Sequence, residues 1–182
     1  MAHGFIIESM IQAKNIDALN RSVTSAVDVD GGGLIALAYP TTKGNDVWTA
    51  SAPSTELGGL WIAYNPEVKY TDVNGKRYAG LSADIRDYTN IAGEVFDAFK
   101  PKIGDELIIS IDAVDATGAS AVAGDILESK AGQTKFTRVA AGTGATVGST
   151  AFEIELVDAI DFPSASIGVE KVKAFKAVCI QE

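Results

Sequence analysis

The sequence predicts a mainly β fold: an antiparallel β-sandwich or small barrel, with an irregular, hairpin-rich N-terminal part and one short helix. Three observations predict it. First, two stretches alternate with a period of two, the signature of half-buried strands. In AFEIELVD (151–158) Phe152, Ile154 and Leu156 alternate with Glu153, Glu155 and Val157. In ELIISIDAV (106–114) Leu107, Ile109, Ile111 and Ala113 oppose Ile108, Ser110, Asp112 and Val114. Second, glycine makes up 18 of 182 residues, above the usual share of about 7%, as many tight turns between short strands require. Third, the one short helix is placed at 90–99, where Ile91, Val95, Ala98 and Phe99 stand four, three and one apart. Pro101 ends that helix, because proline lacks a backbone donor and pushes Lys100 out of the helical region. The main boundary therefore falls near Pro101. Residues 1–102 form an N-terminal arm and hairpin-rich region with a connector, and 103–182 a compact antiparallel β domain.

Taken in order, 5–11 (FIIESMI) fits either a strand or a helical turn. Being apolar, it must be buried, on its own domain or on a neighbouring subunit. Residues 15–21 are a polar connector. Residues 23–29 and 34–39 flank Asp30, Gly31, Gly32 and Gly33, which reads as a hairpin stopped by Pro40. Gly44 and Asn45 mark a turn before Trp48, and 57–64 (LGGLWIAY) is apolar enough for a core strand ended by Asn65 and Pro66. Residues 68–73 and 77–81 bracket Asn74 and Gly75, the dipeptide favoured in type I′ hairpins. Gly104 and Asp105 launch the strand at 107; Gly124 and Asp125 repeat that turn before Ile126, as two turns of one type rather than an internal repeat. Residues 135–140 form a short strand. Residues 169–180 close the chain as a long one, with Lys171, Lys173 and Lys176 on an edge or wet face.

The 15 basic and 24 acidic residues give a net charge of −9, which repels nucleic acid. The first residues lack the basic start of a signal peptide, and no apolar run approaches the roughly eighteen residues of a membrane span. A soluble protein or a part of a soluble assembly, made in the cytoplasm, is expected. Nucleophilic catalysis needs a base, and the one histidine is His3, near the N-terminus. Cys179, the one cysteine, reads as a packed small hydrophobe, and a single cysteine with a single histidine makes no structural zinc site. The glycine-rich stretch 141–150 lacks the Lys-Ser/Thr of a phosphate loop and leads into a strand rather than a helix. Asp28 and Asp30 match the opening of a calcium loop, but Tyr39 stands where the bidentate glutamate should be. Glu153 and Glu155, and Asp84, Asp87, Glu94 and Asp97, form no evident acid–base pair. No enzyme, cofactor or metal site is expected. Trp48, Trp61, Tyr64, Tyr70 and Tyr78 are expected in core and cross-strand packing, with a sugar or ligand platform as the alternative.

The phrases GFIIESMIQAKN, LGGLWIAYNPEV and DYTNIAGEVFDAFKPKIGDELIIS resemble auxiliary capsid proteins of tailed bacteriophages, the decoration or cement proteins. The resemblance implies a late virion structural protein on the capsid exterior, bound to the major capsid protein and joining capsomers, with itself as a further partner in a homo-oligomer. No catalytic residues come with it. Within that reading, segments 5–11 and 88–99 supply the capsid contact, through Phe5, Ile6, Ile7, Ile11, Tyr88, Phe96 and Phe99. The competing classes are a carbohydrate-binding β-sandwich module and a head-fibre or tail component.

Overall fold

A computed structural model describes residues 3–40, 46–55, 57–66, 85–164 and 168–182. Among these residues the chain is mainly β, and its helices are all shorter than seven residues. The strands are β1 (Ile6–Met10), β2 (Asn20–Ser25), β3 (Leu34–Ala38), β4 (Trp48–Ser51), β5 (Trp61–Ala63), β6 (Val95–Phe99), β7 (Glu106–Ser110), β8 (Ile126–Glu128), β9 (Thr137–Val139), β10 (Ala151–Ser164) and β11 (Gly168–Gln181). They form a closed five-stranded barrel, β2-β4-β3-β5-β6, and a six-stranded sheet, β1-β7-β11-β10-β8-β9. The first strand belongs to the sheet of the later residues, with Ile6 opposite Ile109 and Ile7 opposite Ile108.

Side chains of successive strand residues point to opposite faces, and in β3, β5 and β6 both faces are used. Ile35, Ala63 and Ala98 fill the barrel with Val23, Ala50 and Phe96. Their neighbours Leu34, Ile62 and Phe99 belong to a second core with Ile6, Leu107, Ile109, Phe152, Ile154 and Phe175 of the sheet. Burying each large side chain fully contributes about 1.5–3 kcal/mol, so both layers depend on the barrel wall.

Several expectations are corrected. The short helix at 90–99 is a turn followed by β6: Glu94 N donates to Ile91 O at 3.1 Å, and Gly93 has φ +81°. The apparent helical set mixes a turn residue, the exposed Val95, and Ala98 and Phe99 in different cores. The hairpin across Gly31–Gly33 is absent, because β4 lies between β2 and β3 and runs parallel to β2. Those glycines instead admit their neighbours. A Cβ on Gly32 would stand 2.6 Å from Ile6 Cγ2, and one on Gly31 2.4 Å from Asn65 Oδ1. The strand at 107 stops at Ser110, and Ile111–Ala113 is a 3-10 turn with Ile111 only partly buried. Leu156 leaves the core, because a bulge between Ile154 and Leu156 turns it outward and brings in Val157. The expected Asn74–Gly75 hairpin lies outside the described residues.

Candidate interaction surfaces

Five of the seven expected contact residues lie in the chain's own interior: Phe5, Ile6, Ile11, Phe96 and Phe99 are all buried. The cause is that β1 pairs with β7, and β6 with β2 and β5, which places residues in or beside these strands within finished sheets. The outer edge of β1 is capped at Ile6 as well. Asn65 Nδ2 donates to Ile6 O at 2.5 Å, and Ile6 N donates to Asn65 Oδ1 at 2.9 Å, so one side chain takes the place of a neighbouring strand. Phe5 N donates to Ser110 Oγ at 2.9 Å. Only Ile7, 39% exposed, and the half-buried Tyr88 reach the surface.

Ile7 does so in company. The register aligns it with Ile108, Lys176 and Leu156 across β1, β7, β11 and β10. Leu156 is 51% exposed and Met10, opposite Glu106, is 61% exposed. Lys176 Nζ sits 2.9 Å from both Glu106 and Glu155; the hydrogen bonds it donates to Glu106 and then Glu155 raise its pKa. The outer sheet face thus carries apolar side chains around a mutually paired charge group.

Beyond this face, 159–164 of β10 and 168–173 of β11 pair with each other as a two-stranded ribbon. Arg86 Nη2 binds Glu170 at 2.6 Å. Lys173 Nζ donates to the carbonyls of Gly118, Ala119 and Ala121 at 3.5, 3.0 and 3.4 Å, which ties the ribbon's base to a 3-10 helix.

A third surface lies at one end of the barrel. Strand directions bring there the starts of β2, β4 and β5 and the ends of β3 and β6. Trp48 and Trp61 pack on the barrel core only partly buried, and the Arg21 guanidinium lies 5.6 and 5.5 Å from their ring centroids. The small Ala98 opposite Arg21 leaves room for this reach across β6. Tyr39, 78% exposed, stands 4.5 Å from Trp48 between centroids, at 39°. Tyr64 keeps to the interior: its ring is 4.8 Å from Phe99, its hydroxyl donates to Asn20 Oδ1 at 2.9 Å, and burial pushes its pKa up to about 12. Tyr70 and Tyr78 fall outside the described residues. Arg21 and Tyr39 escaped the sequence reading; a tyrosine before a strand-ending proline is the only local signal.

The groups examined for chemistry have structural partners. His3 Nδ1 lies 2.6 Å from Asp30 Oδ1, which also accepts from Thr89 Oγ1 at 3.0 Å. Asp28 accepts from Ala92 N at 2.8 Å. Burial drives the Cys179 thiol up to about 12, which leaves it protonated and inert. In the glycine-rich stretch, Thr146 donates through N and Oγ1 to Glu128 at 2.7 and 2.8 Å. Among the described residues no group of three or more His, Cys, Asp or Glu side chains is placed to hold a metal, and no helix is long and apolar enough to cross a membrane. Comparison of the chain with family models, with curated proteins and with solved structures finds no match.

Proposed function

We propose that this chain is a non-catalytic virion protein that decorates the outer surface of a tailed-phage capsid and strengthens contacts between capsomers. The observation that carries the reading is the row Ile7, Ile108, Lys176 and Leu156, with Met10 beside it, on the outer face of the sheet. It retains the N-terminal segment as a contact element but moves the contact from Phe5, Ile6 and Ile11 to Ile7 and Met10. Apolar residues around an internally paired charge group suit burial against a protein surface, since Lys176 brings its counter-charges with it. A standard interface buries roughly 800 Å² per partner, and copies repeated on a lattice add avidity.

Co-sedimentation with capsids tests this. The protein should pellet with capsids and remain bound in about 0.5 M salt, where charges are screened within a few Å. Ile7→Glu combined with Leu156→Glu should leave a folded protein that stays in the supernatant. Unchanged pelleting of that variant, or stripping of the native protein by salt, would count against the assignment.

A further inference from the structure

We infer that the barrel end formed by Arg21, Tyr39, Trp48 and Trp61 is a binding site for a short acidic glycan, one whose pyranose rings carry carboxylates. The four side chains lie in one row: Tyr39 tilted by 39° against Trp48 at 4.5 Å, then the Arg21 guanidinium at 5.6 Å from Trp48 and 5.5 Å from Trp61. Three features separate this row from ordinary core packing. It stops short of burial, with Tyr39 largely in solvent. Its cation is also unneutralised. In a chain with more acidic than basic residues, Arg21 has no carboxylate within ion-pair reach among the described residues, and its one hydrogen bond there is from Nη1 to Asn20 O at 2.7 Å. The third feature is a second such cation. Lys100 directly follows β6 at the same barrel end, and its Nζ is 3.8 Å from where a Cβ on Gly59 would stand, on the approach to Trp61.

Exposed aromatic surface accepts the C–H face of a pyranose ring, and a guanidinium beside two rings keeps donors for a carboxylate, the planar partner it binds in bidentate fashion. The net charge of −9 acts against a long polyanion at a distance, but beyond about 10 Å it is screened at 0.1 M salt. A short oligomer meets mainly the two local cations. A neutral sugar would stack and leave Arg21 unused.

The chain has two tryptophans, and both stand in this row, so intrinsic fluorescence reports on the site alone. Titration with galacturonate oligomers should give a saturable change in intensity or wavelength, and neutral dextran oligomers, which stack without using Arg21, should need at least about tenfold higher concentration to give one. Arg21→Gln should weaken binding at least about tenfold, as expected for loss of hydrogen bonds to a charged group, with an unchanged melting temperature. Should that variant fail to fold, Tyr39→Ala serves in its place. Its side chain is largely in solvent, so it should melt normally and bind about threefold or more weakly. No saturable change with galacturonate oligomers, equal binding of the neutral oligomers, unchanged affinity in a folded variant, or displacement of the sugar by equimolar inorganic phosphate would each overturn the assignment.

Discussion

Asp105 and Asp125 perform one task on opposite flanks of the β10–β11 hairpin. Each follows a glycine of positive φ, +92° at Gly104 and +87° at Gly124. Asp105 Oδ2 accepts from Lys102 N at 2.8 Å, and Asp125 Oδ2 accepts from Val122 N at 2.9 Å. Gly104 N and Cys179 N tie the first turn to β11; Gly124 N and Ile154 N tie the second to β10 in the same way. With the strand order β1-β7-β11-β10-β8-β9, the sheet is approximately twofold about its central hairpin.

The two aspartates differ in their remaining partners, and so should their variants. Asp125 also accepts from Arg138 Nε at 2.5 Å and Ala141 N at 2.9 Å, whereas Asp105 accepts from Gln12 N at 3.0 Å. Asp125→Ala should cost about 3 kcal/mol, because it strands a partly buried guanidinium, and Asp105→Ala about 1–2 kcal/mol. Urea unfolding of the pair checks the order.

Acid should weaken the Asp125 turn. Burial opposes ionisation of Asp125, but hydrogen bonds from Arg138, Val122 and Ala141 outweigh it and hold its pKa below the ordinary carboxylate value. A depressed folded pKa gives stability that is present above the unfolded value of about 3.9 and is lost as pH falls through the folded value. Unfolding free energy should therefore decline below about pH 4, and part of that slope should vanish in Asp125→Asn. An unaltered slope would remove Asp125 from the account.

Removal of residues 1–12 should unfold the isolated protein, because it withdraws β1 from the sheet and Ile6 and Ile11 from the core. Single substitutions refine this: Ile6→Ala should cost about 2–5 kcal/mol, and the outward Ile7→Ala about 0.5 kcal/mol or less. A shortened chain with native circular dichroism and a cooperative melt would contradict the placement of β1.

Asn65→Ala should lose two hydrogen bonds to Ile6, about 1–2 kcal/mol, and open the edge of β1 to other chains. Light scattering should then reveal more concentration-dependent association than the native protein shows.

Gly32 and Gly93 separate backbone strain from crowding. Their φ angles are +80° and +81°, yet a Cβ on Gly93 meets nothing within 4 Å, and one on Gly32 collides with Ile6. Gly93→Ala should cost about 1–2 kcal/mol, and Gly32→Ala clearly more, by thermal denaturation.

The β class and the strands at 107 and 151 were legible because alternation records which face is buried, and the Gly-Asp turns because backbone chemistry is local. Strand partners were not. Nothing in β2 or β3 announces that β4 comes between them, since pairing is decided by the barrel as a whole. The helical reading of 90–99 failed because the end of β6 is buried on both faces, so that Ala98 and Phe99 mark two cores instead of one helix face. Leu156 was misplaced because a single bulge residue reverses every later position on the strand. Contact candidates were chosen by size and apolarity, properties that interior and interface share; exposure, which separates them, is a tertiary property.

Pairing of Ile6 with Ile109 also imposes an order of assembly. β1 leaves the ribosome well before β7 and cannot be completed until β7 has emerged, while the barrel strands, all within 20–99, have their partners at hand much earlier. Loop closure between β1 and β7 is the long-range step, and long-range pairing is slow. During synthesis the apolar start of the chain stays unsheltered beside a barrel already able to close, and this interval, more than the finished structure, is when the protein is most exposed to aggregation.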